Sequence, residues 1–217
     1  MALIVAAFVT PLETLALHYL LSAHLLQNVV LAEWAPALVV LGLPPALAAE
    51  AGQRPAVRVL TYPFVALPLW LATYFIWHLP WLYDAALRRP ETVLHLEHLC
   101  YLATGVLVWW PVVHGRPWAL SSGAKAAYVF GAFVLASPLG LLLTLVPRPL
   151  YDFYEQAPRV WGLSALGDQQ LGGVTMAGEQ AIVLFTVFVY FFTRFLAEQE
   201  NSPEDTANER LQSAPRP

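Results

Sequence analysis

Three stretches without a single Asp, Glu, Lys or Arg, residues 14–32, 59–83 and 126–147, constrain this chain more than any other feature. Each is close to the ~20 residues that a helix needs to cross a ~30 Å hydrocarbon layer. In lipid every backbone polar group must be paired within the protein, so runs of this length and apolarity cross as helices. The whole chain agrees. Over 217 residues it is 58% hydrophobic and 12% charged, against roughly 25% charged in soluble domains. The expected fold class is an all-α integral membrane protein.

Five full spans are expected, at about Leu12–Trp34, Val59–Tyr83, Glu91–Val113, Gly123–Val146 and Leu171–Leu196. Tyr and Trp near several ends (Trp34, Trp81, Tyr83, Trp118, Tyr128) suit the interfacial belts. Pro63, Pro68, Pro80 and Pro138 should bend their spans and free backbone carbonyls. The run APALVVLGLPPALAA (35–49) is uncharged but short and broken by Pro36, Pro44 and Pro45, and reads as a half-span. Residues 1–197 thus form a helical bundle and 198–217 a polar, disordered tail. There is no internal repeat. The start, MALIVAAFVTPLE, lacks the basic region of a cleaved signal and is expected to remain.

Basic residues in short loops set orientation. An outside N-terminus places seven of them (Arg54, Arg58, Arg116, Lys125, Arg194, Arg210, Arg216) in the cytoplasm and four outside (Arg88, Arg89, Arg148, Arg159). The expected location is a bacterial cell membrane, multi-pass, with the C-terminus cytoplasmic. The net charge of −4 comes largely from the tail. No basic patch points to nucleic acid. The single cysteine, Cys100, offers neither an internal disulfide nor a thiolate metal motif, and reads as packing.

In this topology five of six histidines fall in one leaflet. His18 and His24 lie in the outer half of the first span, His24 nearest the midplane. His78 precedes Pro80 at the outer end of the second. His95 and His98 open the third, on one face by their spacing of three, with Glu97 on another. Asp168, Gln169 and Gln170 stand at the outer mouth of the fifth, with Met176 and Glu179 deeper, and Gly172 and Gly173 allow close helix approach. Only His114 lies on the cytoplasmic side.

Imidazole suits copper, zinc and iron, and thioether favours Cu(I). The candidate metal ligands are therefore His24, His78, His95, His98 and Met176. Gln27, Glu97, Asp168 and Gln169 are candidates to hold the other ring nitrogens. His18 reads as an interhelical hydrogen-bond partner, and Trp109 and Trp110 as interface anchors. The same histidines would suit b-type haem as axial ligands, or a purely structural lock between helices. No nucleophile–base pairing suggests an enzyme.

The segments SAHLLQNVVL (22–31), APALVVLGLP (35–44), FIWHLPWLYDAAL (75–87), LHLEHLCYLATGVLVWWP (94–111) and LSALGDQQLGGVTM (163–176) resemble, in order, the Bacillus-type CtaG family. They touch every span but the fourth. The resemblance implies a membrane factor that assists assembly of cytochrome c oxidase and handles copper, with oxidase subunits as partners and room for a homo-oligomer. It maps His24 and Gln27 onto a His-x-x-Gln-His pattern, Trp77, His78 and Pro80 onto a Trp-His-x-Pro element, and His95 and His98 onto a histidine-rich span start. Asp168, Gln169 and Gln170 match an acidic-diglutamine element. Two departures stand out: Asn28 replaces the second histidine of the first pattern, and two N-terminal spans expected from the resemblance are missing ahead of Leu12.

Overall fold

The structure, a computed structural model, describes residues 2–200; the tail expected from Glu198 lies outside the described residues from 201 onward. All described regular elements are helical. Two short helices, α1 (Ala2–Phe8) and α2 (Pro11–His18), precede the first long one, α3 (Leu21–Gly42). Short proline-led helices α4 (Pro45–Ala51) and α5 (Pro55–Leu60) connect it to α6 (Pro63–Trp77) and α7 (Pro80–Arg88). Next come α8 (Pro90–Val113), α9 (Ser122–Leu145), the one-turn α10 (Asp152–Gln156) and α11 (Ala165–Glu200). By length and apolarity α3, α8, α9 and α11 can each cross a membrane, and α6 with α7 passes the same test as a pair, bent at the break between them. The chain is a multi-pass membrane protein.

The first span differs from its expected limits. It begins at Leu21, not Leu12, and it includes Ala35–Gly42, so residues 35–49 are not a separate half-span. The break at Tyr19–Leu20 has no glycine or proline to mark it. It is made by a distant carboxylate: Asp168 of α11 accepts from the Leu21 and Ser22 amides at 2.6 and 3.1 Å and from Ser22 Oγ at 2.5 Å. These amides would otherwise be unpaired at a helix start. Pro36 is tolerated inside α3 because the backbone widens into a π turn over Val30–Trp34. The Ala32 carbonyl, which proline cannot bond, accepts from Trp70 Nε1 at 3.2 Å.

Between α6 and α7 the axis turns by 75°. Pro80 disfavours helix at the preceding residue, and Leu79 is extended (ψ 125°). The expected bend is therefore real, and His78 sits in the corner. The last span is longer than expected, running to Glu200.

Lateral packing relies on small residues, as intramembrane helices have little hydrophobic drive to associate. α11 lies along α9 on one side and the first half of α3 on the other. A Cβ on Gly173 would come within 2.5 Å of Thr144 Oγ1 and 2.6 Å of the Gly140 carbonyl of α9. A Cβ on Gly172 would meet Leu25 of α3 at 2.5 Å. The expected close approach at these two glycines is present. α8 packs along α6 and the second half of α3. Trp70, Tyr74, Tyr83, Tyr101 and Tyr151 are the largest fully buried side chains, so the interior is aromatic and carries hydroxyls.

Candidate metal centre

One end of the bundle gathers the start of α3, the α6–α7 corner, the start of α8 and the loop around α10. His24 lies in the first turn of α3, because the span starts at Leu21; it is near the end of the span, not the midplane. It is fully buried. Its Nδ1 lies 3.1 Å from the Tyr154 hydroxyl and 3.2 Å from that of Tyr83. Burial raises the Tyr154 hydroxyl's pKa, so it keeps its proton, and that proton is donated to the Ala16 carbonyl at 2.5 Å. Tyr154 can then only accept from His24. With the ring proton on Nδ1, directed at Tyr154, Nε2 carries a bare lone pair.

His78 reaches the same state by another route. Its Nδ1 faces the Tyr74 carbonyl at 2.7 Å, and a carbonyl only accepts. Nδ1 must donate, so Nε2 is again bare; Tyr101 OH lies 3.3 Å from the same Nδ1. The Nε2 atoms of His24, His78 and His98 are all buried without a protein partner. A metal-bound histidine shows this pattern, one ring nitrogen donating to a carbonyl or oxygen and the other free to ligate.

The rings of His24 and His98 lie edge to face with centroids 6.1 Å apart. Two imidazoles sharing one ion at ~2.0–2.1 Å have centroids no more than about 6.4 Å apart, so this pair meets the limit. His78 stands across Tyr83, whose ring is 5.2 Å from His24 and 5.6 Å from His78. Among the described residues no group of three or more His, Cys, Asp and Glu side chains is arranged to hold a metal ion. The geometry is therefore a pair of imidazoles with a third beyond an aromatic ring.

The α8 face is not the expected one. The buried stripe runs Leu94, Glu97, Tyr101, Gly105 and Val108, so Glu97 points inward. His98 lies half-buried at its margin and His95 is exposed, with Nδ1 against the Glu91 carbonyl. His95 and His98 do not share an inward face. That stripe has helical i, i+3, i+4 spacing and was available in the sequence, but glutamate conceals it by breaking the apolar pattern.

Asn28, at the position of the second histidine in the resembling pattern, donates to Glu97 Oε1 at 3.0 Å. Glu97 Oε2 remains unpartnered in full burial. Gln27 Nε2 donates to the Ala7 carbonyl at 2.7 Å and to Glu13 Oε2 at 2.6 Å, tying α1 and α2 to α3. Asp168 and Gln169 touch no histidine in these contacts. Asp168 caps α3, while Gln169 accepts from the Leu150 amide at 2.7 Å and donates to the Leu143 and Arg148 carbonyls at 3.2 Å each. Their contacts pin helix ends. Met176 is buried in the main apolar cluster with Leu25 and Leu139, and His18, at the end of α2, is exposed. His114 caps the far end of α8. The tyrosines whose hydroxyls flank the histidine Nδ1 atoms, Tyr83, Tyr101 and Tyr154, had no sequence signal beyond being aromatic.

With this geometry in view, the comparison with known families is specific. The family described as cytochrome c oxidase caa3 assembly factor (Caa3_CtaG) matches residues 1–198. The chain belongs to that family. No curated protein and no solved structure matches it. The match runs through the whole described bundle, so the Caa3_CtaG assignment covers the histidine end, the fourth span and the long last helix together.

Proposed function

We propose that this Caa3_CtaG protein assists assembly of cytochrome c oxidase by holding a copper ion, Cu(I) in preference, at the extracytoplasmic end of its bundle for transfer to an oxidase subunit. It does so without catalysing a reaction. The observation that carries the reading is the set of buried, unpartnered Nε2 atoms on His24, His78 and His98. His24 and His98 would hold the ion, with His78 as an alternate or transfer ligand. Imidazole nitrogens supply a neutral, moderately soft donor set suited to copper. Glu97 Oε2, buried on the start of α8 without a partner, would offset the added positive charge. The orientation follows from the seven-to-four distribution of basic residues.

A visible spectrum of the purified protein separates this reading from haem, which would give an intense Soret band where Cu(I) gives none. Deleting the gene should lower oxidase activity while the oxidase polypeptides are still made, and added copper should restore part of it. His98→Ala should reproduce the deletion at normal protein abundance, and His95→Ala should not. Full oxidase activity with a stably expressed His98→Ala protein would remove the copper reading.

A further inference from the structure

A second polar cluster lies deeper, away from the histidines, where α3, α6 and α11 meet. Glu33 of α3 and Glu179 of α11 are tied together there through each other's chain neighbours, Trp34 and Gln180. Each carboxyl group also has one oxygen satisfied by an N–H: Trp34 Nε1 donates to Glu179 Oε1, and Gln180 Nε2 to Glu33 Oε1 at 3.2 Å. Gln180 Nε2 also donates to the Tyr74 hydroxyl, at 2.9 Å. Glu33 Oε2, Glu179 Oε2 and Gln180 Oε1 remain buried with no partner, although Glu33 is 1% and Gln180 0% exposed. Three orphaned acceptors around two acids in mid-span are costly. Protonation removes the cost, since a carboxyl O–H has an acceptor waiting in the second carboxyl or in Gln180.

The cluster also has a neighbour that could relay a proton. A cavity of about 10 Å³, room for one water molecule, is lined by Glu33, Trp70, Trp109 and Tyr128 among others. Glu33 Oε2 and the Tyr128 hydroxyl of α9 both lack a protein partner there. A water between them would bond to both. The groups facing the pair are Tyr74 from α6 and Tyr128 from α9, while α8 presents Val108, Trp109 and Val112 to the cavity.

We infer that Glu33 and Glu179 form an intramembrane proton-binding site that exchanges its proton through the water-sized cavity between Glu33 and Tyr128. In the exchange the O–H bond of the carboxylic acid breaks toward the cavity water as that water gives one of its own protons to the Tyr128 hydroxyl oxygen, whose O–H proton leaves toward the larger groove that Tyr128 lines with Tyr62 and Trp118; the pair holds one proton fewer until the reverse sequence restores it. The site is independent of copper.

The test is infrared difference spectroscopy of the full chain in lipid vesicles as pH is stepped. A protonated carboxylic-acid carbonyl band should appear, shift in deuterated water, and vanish in both Glu33→Gln and Glu179→Gln while persisting in Glu97→Gln. A band that survives both variants, or one removed by sodium at constant pH, would overturn the proposal, the latter in favour of a metal cation. Should either glutamine variant fail to accumulate, Tyr128→Phe decides the matter. It should retain the band and slow its deuterium exchange at least severalfold; an unchanged exchange rate would refute the route.

Discussion

Replacing Asp168 should show that the first span is started by a carboxylate 147 residues away in sequence. Asp168 is fully buried and Leu21 is 1% exposed, so water cannot replace the lost contacts. Asp168→Asn keeps the shape but converts one acceptor into a donor, leaving one of the Leu21 and Ser22 amides unpaired. An orphaned buried donor costs about 1–3 kcal/mol, and the midpoint, about 2 kcal/mol, is the expected loss for Asn. Asp168→Ala orphans both amides and the Ser22 hydroxyl, so the loss should reach about 4 kcal/mol, with a further contribution of ~0.3–1 kcal/mol from the charge at the helix start. Denaturant unfolding of the purified protein in detergent would measure both values. Hydrogen exchange at the Leu21 and Ser22 amides would show where the loss arises. Wild-type stability in both variants, with these amides still protected, would refute the capping role.

Other expectations follow from the same contacts. Gln169→Leu removes three hydrogen bonds, one to the end of α9 and two to the segment after it, and should make that segment sensitive to limited proteolysis, at a cost of about 2–3 kcal/mol. Gly173→Val drives side-chain atoms into Thr144 and the Gly140 carbonyl, so little folded protein should survive detergent extraction, whereas Gly178→Ala, with open space at its Cβ, should extract normally. Asn28→His exchanges the bond to Glu97 for a second imidazole on α3, one turn on from His24; copper retained after dialysis should rise, and a fall would count against ligation at this end.

The spans were legible because each depends on a long apolar run, a property the sequence displays directly. Their limits were less so, for reasons seen at α3. Its start is set by Asp168, and its continuation through Pro36 depends on Trp70 reaching the Ala32 carbonyl. Both are tertiary contacts that no local pattern encodes. The corner at His78 was legible in Pro80, whose restriction on Leu79 is local. At the candidate site, counting residues brought the histidines to one end of the bundle but set His24 too deep, because the start of α3 depends on Asp168; direction could not be read, since the face of α8 turned on accepting Glu97 as a core residue. Glu33 escaped notice because it ends a charge-free run and so looks like a boundary. In the fold it sits inside α3, where Gln180, the neighbour of Glu179, donates to it.

X-ray absorption at the copper edge of the loaded, purified protein tests the central claim most directly. Scattering from two imidazole nitrogens at ~2.0 Å is predicted, reduced in His24→Ala and in His98→Ala and unchanged in His95→Ala and Cys100→Ser. A sulfur-dominated shell, or a spectrum indifferent to His24 and His98, would contradict the account.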